Sequence, residues 1–150
     1  MSKIIELFTD GSSRGNPGKA GWGAILRFGD REKELSGGFR RSTNNRMELL
    51  AVIEGLSAIT RFDVPVEIWT DSKYVVDSVE KGWVFGWEKK NFIGKKNPDL
   101  WKRYLEVSRK FVSVKFHWIK GHAGHEMNER CDVLATSAVY DNVDFIYESL

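Results

Sequence analysis

Several kinds of protein are excluded by what this chain lacks. It has one cysteine, Cys131, so no intramolecular disulfide can form, which fits a reducing cytosol better than secretion. No stretch approaches the roughly 18 apolar residues of a membrane span. The opening MSKIIELFTD carries an acid at residue 6 and no apolar run long enough for a secretory leader. Low-complexity segments and fixed-period repeats are also missing, so the 150 residues are expected to form one domain, with a core over 1–139 and an acidic tail over 140–150 that has no basic residue. The expectation is a soluble, cytoplasmic, monomeric protein with no membrane partner. A large excess of one charge is absent too: the net charge is +2, which by itself names no partner.

The distribution of that charge is more informative. Residues 81–103 hold Lys81, Lys89, Lys90, Lys95, Lys96, Lys102 and Arg103 against Glu88 and Asp99. That is a local balance of +5 in a chain of net +2, so the remainder carries −3. Such asymmetry is the footprint of a phosphate-binding patch. Trp83, Phe85, Trp87, Phe92 and Trp101 interleave with the lysines; Trp101 and at least one of Trp83 and Trp87 are expected in the core.

Hydrophobic periodicity divides the chain into short elements. Ile4–Phe8 reads as a strand, followed by a glycine-rich stretch around Asn16-Pro17-Gly18 with turn chemistry. Trp22–Phe28 and Glu32–Phe39 read as two more strands joined at Gly29-Asp30 in hairpin fashion. Asn44–Ile59 reads as a helix, with Leu49, Val52, Ile53, Leu56 and Ile59 at helical spacing. Val64–Trp69 is a strand, Ser72–Glu80 a short helix capped by Ser72, Pro98–Arg109 a helix, Phe111–Ile119 a strand, Gly121–His125 a loop and Asn128–Val139 a helix. This order predicts an α/β sheet of mixed direction with helices on both faces.

Four acids fall at the boundaries of these elements. Asp10 and Asp71 each follow an apolar strand, beside a small residue, in Phe8-Thr9-Asp10-Gly11 and Trp69-Thr70-Asp71-Ser72. Ligands of open α/β sheets bind at the carboxyl ends of strands. Glu48 precedes Val52 by four residues and Leu56 by eight, so it continues the core-facing stripe of its helix. Asp132 lies three before Ala135 and borders the apolar face of the last helix. Each alone has an ordinary explanation: a turn residue, a solvated helix edge, an acid favoured by a helix dipole. Together they would repel and raise one another's pKa values unless cations sit among them. Hard oxygen ligands suit Mg²⁺, or Mn²⁺ in its place, rather than Zn²⁺. Two such ions about 4 Å apart are the standard arrangement for in-line attack on a phosphodiester.

The blocks Thr9-Asp10-Gly11-Ser12, Gly15-Asn16-Pro17-Gly18, Thr43-Asn44-Asn45-Arg46-Met47-Glu48-Leu49, Thr70-Asp71-Ser72, Lys120-Gly121-His122-Ala123-Gly124-His125 and Asn128-Glu129-Arg130-Cys131-Asp132 resemble type 1 ribonuclease H of bacteria, in order over roughly residues 4–138. The resemblance implies a ribonuclease H-like fold: a five-stranded mixed sheet, three antiparallel strands then two parallel. It implies cleavage of the RNA strand of RNA–DNA hybrids by two Mg²⁺ ions, leaving 5′-phosphate and 3′-hydroxyl ends. Asp10, Glu48, Asp71 and Asp132 match the metal-binding acids, with Asp10 bridging both ions, Asp132 on the ion that activates water, and Glu48 and Asp71 on the ion at the leaving oxygen. His122 matches a mobile histidine that helps move protons or release product, and its ordinary pKa suits that work.

For the substrate, the resemblance assigns Asn16, Asn44 and Asn45 to the minor groove of the hybrid, where an A-like duplex exposes its 2′-hydroxyls. Asn44 and Asn45 could equally cap their helix. Thr43 is expected to hold a phosphate, as are Lys89, Lys90, Lys95 and Lys96. The chain departs from the better-known pattern here: the stretch from Trp87 to Trp101 is short and holds four lysines, which predicts weaker non-specific hybrid binding. Ser13 and Lys73 also stand where familiar members carry Cys and Gln. A zinc site from His122, His125 and Cys131 would have at most three ligands and no CxxC pair. The glycine-rich stretch is no P-loop, because Gly18-Lys19 runs into Ala20. A catalytically silent binding module would lack one of the four acids, and none is missing. A DNA-cutting relative such as a resolvase or integrase is disfavoured by the Asn-rich block.

Overall fold

In the computed structural model, residues 3–120 and 125–140 are described. Five strands form one sheet: β1 (Ile5–Arg14), β2 (Gly18–Phe28), β3 (Arg31–Ser42), β4 (Val66–Thr70) and β5 (Val114–Trp118), in spatial order β3-β2-β1-β4-β5. β1, β2 and β3 pair antiparallel, while β4 and β5 join them in parallel. The helices are α1 (Asn44–Ser57), α2 (Lys73–Glu80), α3 (Trp83–Lys89), α4 (Pro98–Ser108) and α5 (Glu126–Thr136). The expected mixed sheet with helices on both faces is therefore present. Among the described residues no helix is long and apolar enough to cross a membrane.

Alternation along the strands divides the interior into two cores. Ile5 and Leu7 of β1 pack with Ala24, Leu26, Val52, Ile53, Ile68 and Trp101 on the face that α1 and α4 cover. Phe8 points the other way and packs with Ile25, Met127 and Cys131 under α5. Trp101 is fully buried and Trp87 packs against the same core, whereas Trp83 remains 47% exposed, as the sequence led one to expect.

The first three strands run longer than the sequence predicted. β1 continues through Gly11 to Arg14, and only Gly15-Asn16-Pro17 forms the turn into β2. Gly11 and Gly21 fall in the glycine-rich stretch that the sequence assigned to a turn, but together with Gly23 they serve strands over which a helix passes at backbone contact. A Cβ on Gly23 would lie 2.5 Å from the Cys131 carbonyl oxygen, and one on Gly11 would lie 2.4 Å from the Glu48 amide nitrogen. The segment after α2, left without structure by the sequence pattern, contains the short helix α3. α5 begins two residues earlier than expected because His125 caps it, its Nδ1 accepting from the Asn128 amide at 3.2 Å.

Candidate active site

Four elements bring acids together at one end of the parallel strand pair. The register of β1 and β4 matches Phe8 with Trp69 as its last pair. Asp10 and Asp71 each stand two residues beyond that pair, so both leave the same face of the sheet at the same level. Asp10 is thus inside β1, opposite Gly23 of β2, and what ends before it is the pairing with β4 rather than the strand. Asp71 is held from several sides: the Trp118 indole donates to its carbonyl at 3.2 Å, Ile119 N donates to Thr70 O at 2.8 Å, and Ser72 caps α2 by accepting from the Val75 amide.

Glu48 comes from the first turns of α1. Thr43 is the N-cap, its Oγ1 accepting from Arg46 N at 3.3 Å, which fixes the helix start and hence the phase that turns Glu48 inward. Asp10 and Glu48 are 1% and 5% exposed, and Asp71 is half-buried. Ligand oxygens of these three acids lie within 4.8 Å of one another. Asp132, half-buried on α5, lies near enough to Asp10 for its charge to act on it.

This crowding perturbs the carboxyls strongly. Burial first, then the charges of Asp71 and Asp132, push Asp10 up to about 8. Burial, followed by Asp10 and Asp71, raises Glu48 well above its ordinary range. The Gly11 amide donates to Asp10 Oδ1 at 2.9 Å and draws both groups down, but one backbone dipole does not outweigh burial plus like charge. Glu48 Oε1 is buried without a hydrogen-bond partner, a costly condition that a cation would relieve. The donor set is oxygen alone, which suits a hard divalent ion. Cys131, in the same region, is turned to the backbone: its thiol donates to the Phe8 carbonyl at 3.2 Å, and burial pushes its pKa up to about 12.

The remaining sequence candidates divide into groups. Asn16 and Asn44 meet: Asn16 Oδ1 accepts from the Asn44 amide at 3.0 Å, with both residues and Asn45 exposed at the start of α1. Because Thr43 is the cap, the side chains of Asn44 and Asn45 are not needed for that purpose. Lys89 and Lys90 close α3, and Lys95 and Lys96 lie on the following loop; all four are exposed, with the Lys95 ammonium 5.5 Å from the centre of the Trp87 ring. His122 lies outside the described residues. Sequence reasoning missed Asn128, which is fully buried, donates to the Thr9 carbonyl at 3.5 Å and keeps Oδ1 without a partner. Its spacing of four residues before Asp132 was the available signal, since i and i+4 share a helix face.

Carboxylates converging on the carboxyl edge of a mixed sheet, Asp10 and Glu48 among them with raised pKa values and Glu48 with an unsatisfied buried oxygen, define a hydrolytic site of the metal-dependent kind. Comparison with known proteins makes this specific. The ribonuclease H family matches residues 2–140, and the chain belongs to that family of hydrolytic endoribonucleases. The ribonuclease H of Erythrobacter litoralis is 51% identical over 141 residues, spanning 91% of this chain and 96% of that protein. Among solved structures, the type 1 enzyme LC9-RNase H1 superposes with a TM-score of 0.80 at 28% identity, over 91% of this chain and 72% of the other. LC11-RNase H1, solved in complex with an RNA/DNA hybrid, superposes with a TM-score of 0.68 at 26% identity, over 89% of this chain and 95% of the other.

Proposed function

We propose that this chain hydrolyses the RNA strand of RNA–DNA hybrids with two divalent cations, Mg²⁺ in the first place, leaving 5′-phosphate and 3′-hydroxyl ends. The observation that carries this reading is the triad Asp10, Glu48 and Asp71, with ligand oxygens within 4.8 Å of one another, in which burial and like charge push Asp10 and Glu48 toward the neutral acid in the absence of cations. LC11-RNase H1, a neighbour in fold, binds such a hybrid. Cations held there would supply an activated water and neutralise charge on the leaving oxygen.

The chain's own residues do the positioning. Asp10, 1% exposed, would help hold both cations; Asp132 would help hold one of them, and Glu48 and Asp71 the other. The exposed pair Asn16 and Asn44, with Asn45, forms a short amide ledge beside Glu48 on α1 that fits the wide minor groove of an A-like duplex. Thr43, Lys89, Lys90, Lys95 and Lys96 hold phosphates, and His122 helps move protons or release product. Incubating labelled RNA–DNA hybrid, RNA duplex and DNA duplex with Mg²⁺ tests the reading. Cleavage of the hybrid's RNA strand alone is expected; equal cutting of DNA duplex, or none of the three, would overturn it.

A further inference from the structure

One polar joint lies outside the carboxylate cluster and ties α1, which carries Glu48, to the two helices α2 and α4. Arg46, on the first turn of α1, is 1% exposed. Its guanidinium grips both carboxylate oxygens of Asp99, Nη1 to Oδ1 at 3.1 Å and Nη2 to Oδ2 at 2.5 Å, and Nη1 also donates to Asn97 Oδ1 at 3.1 Å. Asn97 in turn donates through Nδ2 to the Tyr74 hydroxyl at 3.1 Å, which also accepts from the Trp101 indole at 2.8 Å. α1, α2 and α4 thus meet at one connected set of hydrogen bonds.

Two features mark this joint as more than filling. Asn97 occupies the N-cap position of α4 in a left-handed conformation, φ +60°, yet its side chain makes no cap hydrogen bond; it is directed to Arg46 and Tyr74 instead. The loop it terminates, between α3 and α4, is also turned by left-handed backbone at Asn91, Phe92 and Gly94, and it carries Lys95 and Lys96. Such conformations persist only where surrounding contacts hold them. Arg46 therefore anchors the end of the basic loop to the helix that presents Thr43, Asn44, Asn45 and Glu48.

We infer that Arg46 is a positioning residue: through Asp99 and Asn97 it sets the spacing between the basic segment and the first turn of α1, so that one duplex engages both at once. This rests on the proposed hybrid substrate. Arg46 is buried and Asp99 is half-buried, and an ion pair so far out of water is poor evidence of a stability role, because well-packed apolar replacements of both partners are often neutral in stability. That makes the double variant Arg46→Met/Asp99→Leu the informative one.

The double variant should fold, with a melting temperature within about 5 °C of the parent. Its KM for hybrid should rise about fivefold or more while kcat stays within about twofold, and its affinity should lose part of its salt dependence because the lysines no longer act together. A folded double variant with the parent's KM and salt slope would overturn the inference, as would a fall in kcat at unchanged KM. Should the double variant fail to fold, Arg46→Lys keeps the charge but not the two-pronged grip; a raised KM supports the inference and the parent's KM overturns it. Hybrid affinity by fluorescence anisotropy, which needs no cleavage, separates the two readings. A parent protein that binds hybrid without cutting it contradicts the proposed function and still lets the spacing be read.

Discussion

Gly11 of β1 and Glu48 of α1 are in backbone contact: a Cβ on Gly11 would lie 2.4 Å from the Glu48 amide nitrogen and 2.7 Å from the Met47 carbonyl carbon. Both neighbouring atoms are main chain, so no side-chain rotation relieves the clash. Gly11→Ala should therefore lower stability by about 3 kcal/mol and move α1, and Glu48 with it, away from Asp10. Urea unfolding and hybrid cleavage on the same preparation check both effects. A variant with the parent's midpoint and rate would show that α1 can retreat without cost.

The raised acids make metal-free stability depend on pH with a definite sign. Asp10 holds its proton to about pH 8 in the folded chain and only to its ordinary value of 3.8 when unfolded. Between those values the folded state binds more protons, so stability is greatest at the acid end of the window and falls as pH rises toward 8. Thermal or urea unfolding in EDTA should show a loss on the order of 3 kcal/mol from pH 5 to pH 8. Asp10→Asn should flatten most of that slope, leave metal-free stability at pH 8 equal or higher, and abolish Mg²⁺-dependent cleavage. Saturating Mg²⁺ should restore the parent's stability at pH 8 and do little for the variant. A slope of the opposite sign, or a fully active Asp10→Asn, would refute the site.

The four exposed lysines of the α3–α4 region are proposed to meet phosphate rather than the reacting atoms. Replacing Lys89, Lys90, Lys95 and Lys96 together with Gln should raise KM far more than it lowers kcat, and should flatten the dependence of affinity on salt. A steady-state series at several salt concentrations measures both. An unchanged slope would remove this segment from the substrate path.

Cys131 should be chemically quiet. Its thiol is fully buried, bonded to the Phe8 carbonyl and pushed up to about 12, so almost none is thiolate at neutral pH. Alkylation by iodoacetamide followed by mass measurement should show negligible labelling of the folded protein and complete labelling in denaturant. Rapid labelling of the native state would mean that α5 opens from the sheet.

Local pattern carried much of this protein. Period-two runs and an apolar helical stripe named the strands and the helix starting at Asn44, and that stripe alone turned Glu48 toward the interior, because the direction of a side chain on a helix follows from its phase. The chemical class of the site was equally legible, since acids collected at a core boundary need cations wherever they meet. The end of β1 was not legible. Glycine in a sequence reads as a turn, and nothing local distinguishes a glycine that bends the chain from one over which a helix passes. The short helix α3 and the capping role of His125 were hidden for a related reason, because each depends on packing partners distant in the chain.

The meeting itself belongs to the tertiary structure. Asp10 and Asp71 come level because the parallel pairing of β1 with β4 ends at Phe8 and Trp69. Glu48 and Asp132 reach them because α1 crosses at Gly11 and α5 at Gly23 without an intervening Cβ. The sequence determined by itself which residues could bind a metal and which way most of them would face. Register between strands and the approach of backbones are relations between distant segments, and only the folded chain decides them.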